Sequence, residues 1–143
     1  MTKDIIIEIS GAQNYEDQEP DSVALVTTGK FKEVENGAII TYEESIMEGM
    51  APTLSTVDID GDVITVSRTG QTRSHMVFQL GQKHLSYYDT PYGSLTVGVS
   101  TKRIEKRISE TDGEILIEYA MEINSALVGE NSLCMKFRNA GIR

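Results

Sequence analysis

Between Gly113 and Asn124 the chain alternates with a period of two. Ile115, Ile117, Tyr119, Met121 and Ile123 take one parity, and Glu114, Glu118 and Glu122 take the other. A period of two puts the apolar set on one face of an extended strand and the carboxylates on the other, the pattern of a half-buried antiparallel strand. Leu133, Met135 and Phe137 repeat it, as do Leu95, Val97 and Val99, and no window of helical length carries an i, i+3, i+4 apolar stripe. Turn signals fall between the apolar runs at Asn36-Gly37, Asp60-Gly61, Gly81-Gln82, Pro91-Tyr92-Gly93 and Asp112-Gly113. This spacing predicts hairpins in an up-and-down meander of about ten strands. The polar stretch Asn14 to Asp21 reads as a loop. The 143 residues make one domain, 1–143, without repeats. A domain of that length buries about 68–70% of the surface its unfolded chain exposes.

Tight turns fix register, so the inward residues can be computed. A type I′ turn at Asn36-Gly37 pairs Glu35 with Ala38, Phe31 with Tyr42 and Gly29 with Glu44. It collects Val23, Leu25, Phe31, Ile40, Tyr42, Ile46 and Met50 on one face, sets Glu44 among them, and pairs Lys30 with Glu43 outside. The Asp60-Gly61 turn pairs Val57 with Ile64, Ser55 with Val66 and Thr53 with Arg68, which sends Arg68 inward. A type II′ turn at Gly81-Gln82 pairs Phe78 with Leu85 and His75 with Tyr88. A type I turn at Thr90-Pro91-Tyr92-Gly93 pairs Asp89 with Leu95. Both put Leu85, Tyr87 and Asp89 inside and His84, Ser86 and Tyr88 outside. The Asp112-Gly113 turn pairs Lys106 with Tyr119, both inward, and places Arg107 opposite Glu118 and Arg103 opposite Glu122 outside. Parity counted from Leu95 conflicts with parity counted back from Ile117, which requires a β-bulge near Thr101 to Arg103. Long strands with a bulge and no helix to cover a face predict closure: an all-β fold, a single closed antiparallel up-and-down barrel of about eight to ten strands.

Several segments carry a resemblance: Gly29-Lys30-Phe31; Tyr42-Glu43-Glu44-Ser45 with Met47, Gly49 and Met50; His75-Met76-Val77-Phe78; and above all Ser86-Tyr87-Tyr88-Asp89-Thr90-Pro91-Tyr92-Gly93-Ser94. In these the chain resembles the bacterial YwiB-like family of unknown function, from about Ile5 to Phe137. The resemblance implies a calycin-like (lipocalin-like) β-barrel. It implies no activity, cofactor or catalytic residue. The family pattern carries an acidic residue, often Glu, at the position of Asp89.

Charge excludes some classes. A net charge of −9 lacks the basic footprint that nucleic acid or an anionic membrane surface requires. The charge is uneven, −11 over residues 1–65 and +2 over 66–143, which favours attraction of the halves within one barrel or between subunits of a homodimer over a basic docking patch. No apolar run approaches the ~20 residues of a membrane span, and Glu8 interrupts the amino-terminal isoleucines too early for a signal segment. The expectation is a cytoplasmic protein. Its single cysteine, Cys134, excludes an internal disulfide.

The inward polar set expected from register is Glu44, Arg68, Asp89 and Lys106, with Tyr42, Tyr87 and Tyr119 nearby. One reading is a small-molecule site with apolar walls and a few convergent polar groups. The other is a structural ion network with Arg68 clamping Glu44 or Asp89, whose disruption by Arg68→Ala costs about 3–5 kcal/mol. A Glu44/Asp89 carboxylate pair would also suit a hydrolase or isomerase, although no spacing motif accompanies it. His75 and His84 fall on the outer face without ligand spacing, so no metal is expected. Asp58, Asp60 and Asp62 fail the EF-hand pattern, since the glycine comes fourth and no glutamate closes the loop. The glycines form no nucleotide-binding pattern, and no cofactor is expected. The sequence therefore favours a small molecule held in the barrel interior, with a protein-interaction module acting through its outer face as the alternative.

Overall fold

The described residues form ten antiparallel strands and no helix: β1 (Thr2–Asn14), β2 (Asp21–Val34), β3 (Gly37–Glu44), β4 (Thr53–Asp60), β5 (Val63–Thr69), β6 (Ser74–Gln79), β7 (Lys83–Thr90), β8 (Gly93–Ile108), β9 (Asp112–Ile123) and β10 (Ala126–Asn139). The computed structural model describes residues 2–14, 21–44, 53–70, 73–90, 93–109 and 111–140, with the backbone alone at 13–14, 21–23, 44 and 87–90. All ten strands join one sheet in the order β6-β5-β4-β3-β2-β1-β10-β9-β8-β7. The first and last strands pair over ten positions, from Ile5 opposite Asn139 to Asn14 opposite Glu130. The sheet curls into a nearly closed barrel. Its one seam lies between β6 and β7, which are consecutive in sequence yet form no ladder among the described residues.

The chain's own hydrogen bonds account for that seam. Gln82 N–H donates to the Gln79 carbonyl at 3.0 Å and closes the turn after β6. Gly81 N–H then donates to the Thr101 carbonyl at 3.1 Å, and Thr101 N–H to the Gln82 carbonyl at 3.3 Å. The turn is thus bound to β8 across the barrel wall. The hairpin register expected from Gly81-Gln82, with Phe78 opposite Leu85 and His75 opposite Tyr88, is not formed. A side-chain bond from His84 Nε2 to Gln79 Oε1, 3.0 Å, bridges the seam instead.

Three expected registers are displaced by an even number of residues, which leaves the faces unchanged. The β2–β3 turn is Glu35-Asn36, so Phe31 pairs with Ile40 and Gly29 with Tyr42. The β4–β5 turn is Gly61-Asp62, with Val57 opposite Val66 and Ser55 opposite Arg68. Gly61 takes φ +58, the conformation in which glycine pays no steric cost. The β8–β9 connection is longer than two residues, so Ile104 pairs with Ile117, Lys106 with Ile115 and Arg107 with Glu114. The bulge required by the parity conflict lies between Thr101 and Arg103. A second, between Leu127 and Gly129, has no counterpart in the sequence reading. Nor has the β9–β10 turn, where Asn124 (φ 49) and Ser125 (φ 71) both adopt the left-handed conformation of a I′ turn.

One register is displaced by a single residue, which inverts a strand. Thr90 pairs directly with Gly93, Ser86 with Val97 and Leu85 with Gly98. Leu85 is therefore 62% exposed and Ser86 only 4% exposed, the reverse of the expectation. The Thr90–Gly93 turn is off by one residue, and the Gly81-Gln82 hairpin that agreed with it about this strand is not formed.

The core is the inward set of all ten strands. Toward the end that carries the Glu35-Asn36, Gly61-Asp62 and Leu80–Gln82 turns, it is sealed by Ile5, Ile40, Ile59, Ile64 and Phe78. Phe31 stacks on Phe137 with ring centroids 5.4 Å apart, and Phe78 meets Tyr119 edge-on at 4.9 Å. Toward the opposite end, marked by Asn124-Ser125, the inward Met76, Leu95, Met121 and Ile123 are only partly buried, while Val97, Ser55 and Ser86 stay buried. Solvent thus reaches some of the inward side chains toward that end.

Candidate functional site

The interior polar groups lie mainly in two cross-strand rows. Tyr42 on β3 stands opposite Ser55 on β4, which stands opposite Arg68 on β5, forming one cross-strand row. Across the barrel, Thr101 on β8 stands opposite Tyr119 on β9, and Tyr119 opposite Asn131 on β10. Tyr42, Ser55, Thr101 and Asn131 are buried, as is Ser86 beside the seam. The hydroxyls of Ser55, Ser86 and Thr101 have no hydrogen-bond partner among the described residues. Leaving a buried hydroxyl unpaired costs about 1–3 kcal/mol, so three in one interior call for an explanation. Every buried polar side chain among the described residues is uncharged.

The expected charged set is dispersed. Arg68 holds an inward register position but lies at the end of its strand and is exposed, with no ion pair among the described residues. The buried clamp expected of it is therefore absent from its described surroundings. Arg68→Ala should change the unfolding free energy by about 0.5 kcal/mol or less, the ordinary range for a surface side chain, in a urea titration. Lys106 is also exposed, at the opposite end of the barrel, where its ammonium donates to the Gly61 carbonyl. The backbones of Glu44 and Asp89 pair with Thr53 and Ser94, at the same end as Arg68. The side chains of Glu44, Tyr87 and Asp89 lie outside the described residues. Of the expected set, the structure brings Tyr42 and Tyr119 to the interior, and it adds Ser55, Ser86, Thr101 and Asn131. Ser55 and Thr101 were legible from parity alone, because each shares the face of a neighbouring valine. Ser86 was hidden by the inverted strand.

Charge pairs lie outside the barrel. Lys30 bonds to Asp4 rather than to Glu43. Arg103 meets Glu105 at 2.5 Å and Glu118 at 3.5 Å, and the Glu105 hydrogen bond is the main reason its guanidinium holds its proton more tightly. Asp112 titrates below the usual carboxylate range, chiefly because the Ser109 hydroxyl donates to it at 2.7 Å and secondarily because Arg107 lies at 3.3 Å. His75 is exposed beside Ser67, 3.2 Å away. Cys134 is a partly buried free thiol.

The sequence family described as a domain of unknown function (DUF1934) matches residues 7–135. The chain belongs to the DUF1934 family. Among curated proteins it is similar to the uncharacterized beta-barrel protein YwiB of Bacillus subtilis (strain 168), with 28% identity over 108 residues, 76% of this chain and 75% of the relative. Among solved structures it matches the crystal structure of the ywiB protein from Bacillus subtilis at a TM-score of 0.82 and 19% identity, covering 97% of this chain and 93% of the other. The DUF1934 match includes the Ser86–Ser94 segment and both cross-strand polar rows. The structural match supports the barrel across nearly the whole chain. No helix among the described residues is long and apolar enough to cross a membrane.

Proposed function

We propose that this DUF1934 barrel binds a small molecule in its interior. The three partnerless buried hydroxyls carry the reading. Ligand sites combine apolar walls with a few polar groups that fix orientation, and Met76 and Met121 provide adaptable walls beside Ser55, Ser86, Thr101 and Tyr119. Because the described interior donors and acceptors are neutral, the portion of the ligand seated there is uncharged, with hydroxyl, carbonyl or amide groups. Arg68 stands toward the end where solvent reaches inward side chains and can meet a charge at the ligand's outer extremity. The function is binding; no residue is assigned a catalytic role.

Native mass spectrometry of the protein purified from its own host tests the reading. The wild-type chain should carry a bound small molecule that Ser55→Ala combined with Ser86→Ala loses. Thr101→Val, which keeps the side-chain shape, should bind more weakly and yet stabilise the fold by about 1–3 kcal/mol, since it removes an unpaired buried hydroxyl. A wild-type protein that carries nothing, and whose melting temperature no neutral or anionic compound in a screening panel raises, would sink the proposal.

A further inference from the structure

The outer face presents a second arrangement, spread over five adjacent strands. Glu8 on β1 stands opposite Val26 on β2 and Lys136 on β10. Lys136 stands opposite Glu114 on β9, and Glu114 opposite Arg107 on β8. From β1 to β8 the row reads acid, base, acid, base. Glu8, Lys136 and Arg107 are exposed and Glu114 partly so. Among the described residues, Glu8, Lys136 and Glu114 make no ion pair, although each has an opposite charge as its ladder neighbour. Arg107 meets Asp112 at 3.3 Å. The row borders a shallow groove of about 310 Å³ whose lining includes Gly113, Ile6 and Val26. Its floor is pinched at Gly113, where a Cβ would sit 2.2 Å from the Phe137 ring beneath. Val26, at the edge of the groove, is 68% exposed.

We propose that this face joins two copies of the chain in a two-fold symmetric homodimer. A two-fold contact sets a patch against itself in reverse order, so the patch must be complementary to its own reversal. An alternating row of four charges has that property. A two-fold axis lying in the interface, perpendicular to the row and midway between Lys136 and Glu114, sets Lys136 against the partner's Glu114 and Glu8 against the partner's Arg107. Each pair occurs twice, giving four ion pairs along a row of about 14 Å at the usual strand spacing. Ile6 and Val26 add apolar surface beside it. A uniformly acidic or uniformly basic partner would meet a like charge at half of these positions, and such juxtapositions are costly. A second copy meets none. The pairing also explains how chains of net charge −9 can associate, because the bases of this face come from the carboxy-terminal half.

Sedimentation velocity tests the interface. The wild-type protein should be a dimer at low salt and dissociate toward monomer as salt rises, because ion pairs at an interface are screened. Glu8→Lys with Glu114→Lys makes the row wholly basic, and Arg107→Glu with Lys136→Glu makes it wholly acidic. Each double variant alone should be monomeric, weakened about tenfold or more in self-association. An equal mixture of the two should restore a dimer holding one copy of each. If either charge reversal disturbs folding by circular dichroism, the milder Glu114→Gln with Lys136→Gln should still weaken the wild-type dimer. A wild-type protein monomeric at every salt concentration, or double variants that each remain dimeric, would overturn the proposal. None of these residues lines the interior, so the outcome is independent of ligand binding.

Discussion

Phe78→Ala should lower the unfolding free energy by about 3–5 kcal/mol, read from the midpoint of a urea titration at unchanged slope. Phe78 is 1% exposed, the bulkiest of the fully buried side chains, and sits on β6, one of the two strands that border the seam. Strands within the sheet have backbone ladders on both sides, but β6 has a ladder only to β5. Beyond the backbone bonds of the following turn to Thr101, its attachment to the other side of the barrel rests on packing, including the edge-on contact of Phe78 with Tyr119 on β9. Truncation leaves a cavity and removes that contact. Little else exists to close the gap, because the seam carries the His84–Gln79 side-chain bond and no described ladder. Phe78→Leu should recover most of the loss by refilling the volume.

Gly37→Ala should cost about 1–3 kcal/mol or more, because it forces main chain apart rather than side chain. A Cβ at Gly37 would lie 1.8 Å from the Ile59 carbonyl oxygen and 2.7 Å from its carbonyl carbon, and backbone in a ladder cannot rotate away. The glycine is thus required by the close approach of β4 where Gly37 pairs with Asp60, not by a turn dihedral, since only Gly61, Gly81 and Gly93 among the described glycines take positive φ. Gly11→Ala provides the contrast. Its nearest foreign atom would be 3.6 Å away, ordinary contact, and alanine relieves the entropic cost of glycine in a strand. Comparable losses in the two variants would contradict the geometry at Gly37.

The same residues explain which parts of the fold could be read in the sequence. Alternation assigns a strand's faces up to a shift of one residue, so any error of two or four residues in a turn is harmless. Phe31, Ile40 and Tyr42 stayed inside although Glu35-Asn36 forms the turn instead of Asn36-Gly37. Ile104 and Ile117 stayed inside although the β8–β9 register slid by four. The bulge at Thr101–Arg103 was legible for the same reason, since two parities collided there. An odd error is not forgiven. Reading one loop residue too many between Thr90 and Gly93 turned β7 over, hiding Ser86 and promoting Leu85. Sequence parity also says nothing about depth along a strand. Arg68 and Lys106 occupy inward positions at opposite ends of the barrel, where long cationic side chains reach water instead of the core. The interior polar groups are therefore the short neutral ones, which carry no obvious signal in a sequence.

The pairing of β1 with β10 has a consequence for synthesis. A growing chain delivers β1 through β6 as a continuous acidic meander, but the free edge of β1 finds its ladder partner only when residues 126–139 have left the ribosome. Until then Ile5, Ile7 and Ile9 lack the neighbouring strand from which Met135 and Phe137 flank them. The greasy inner surface of six strands must wait, unsheltered, for the last segment to be made, and strand edges left open in this way are prone to stray association. The strong negative charge of those first strands keeps neighbouring nascent chains apart during the delay.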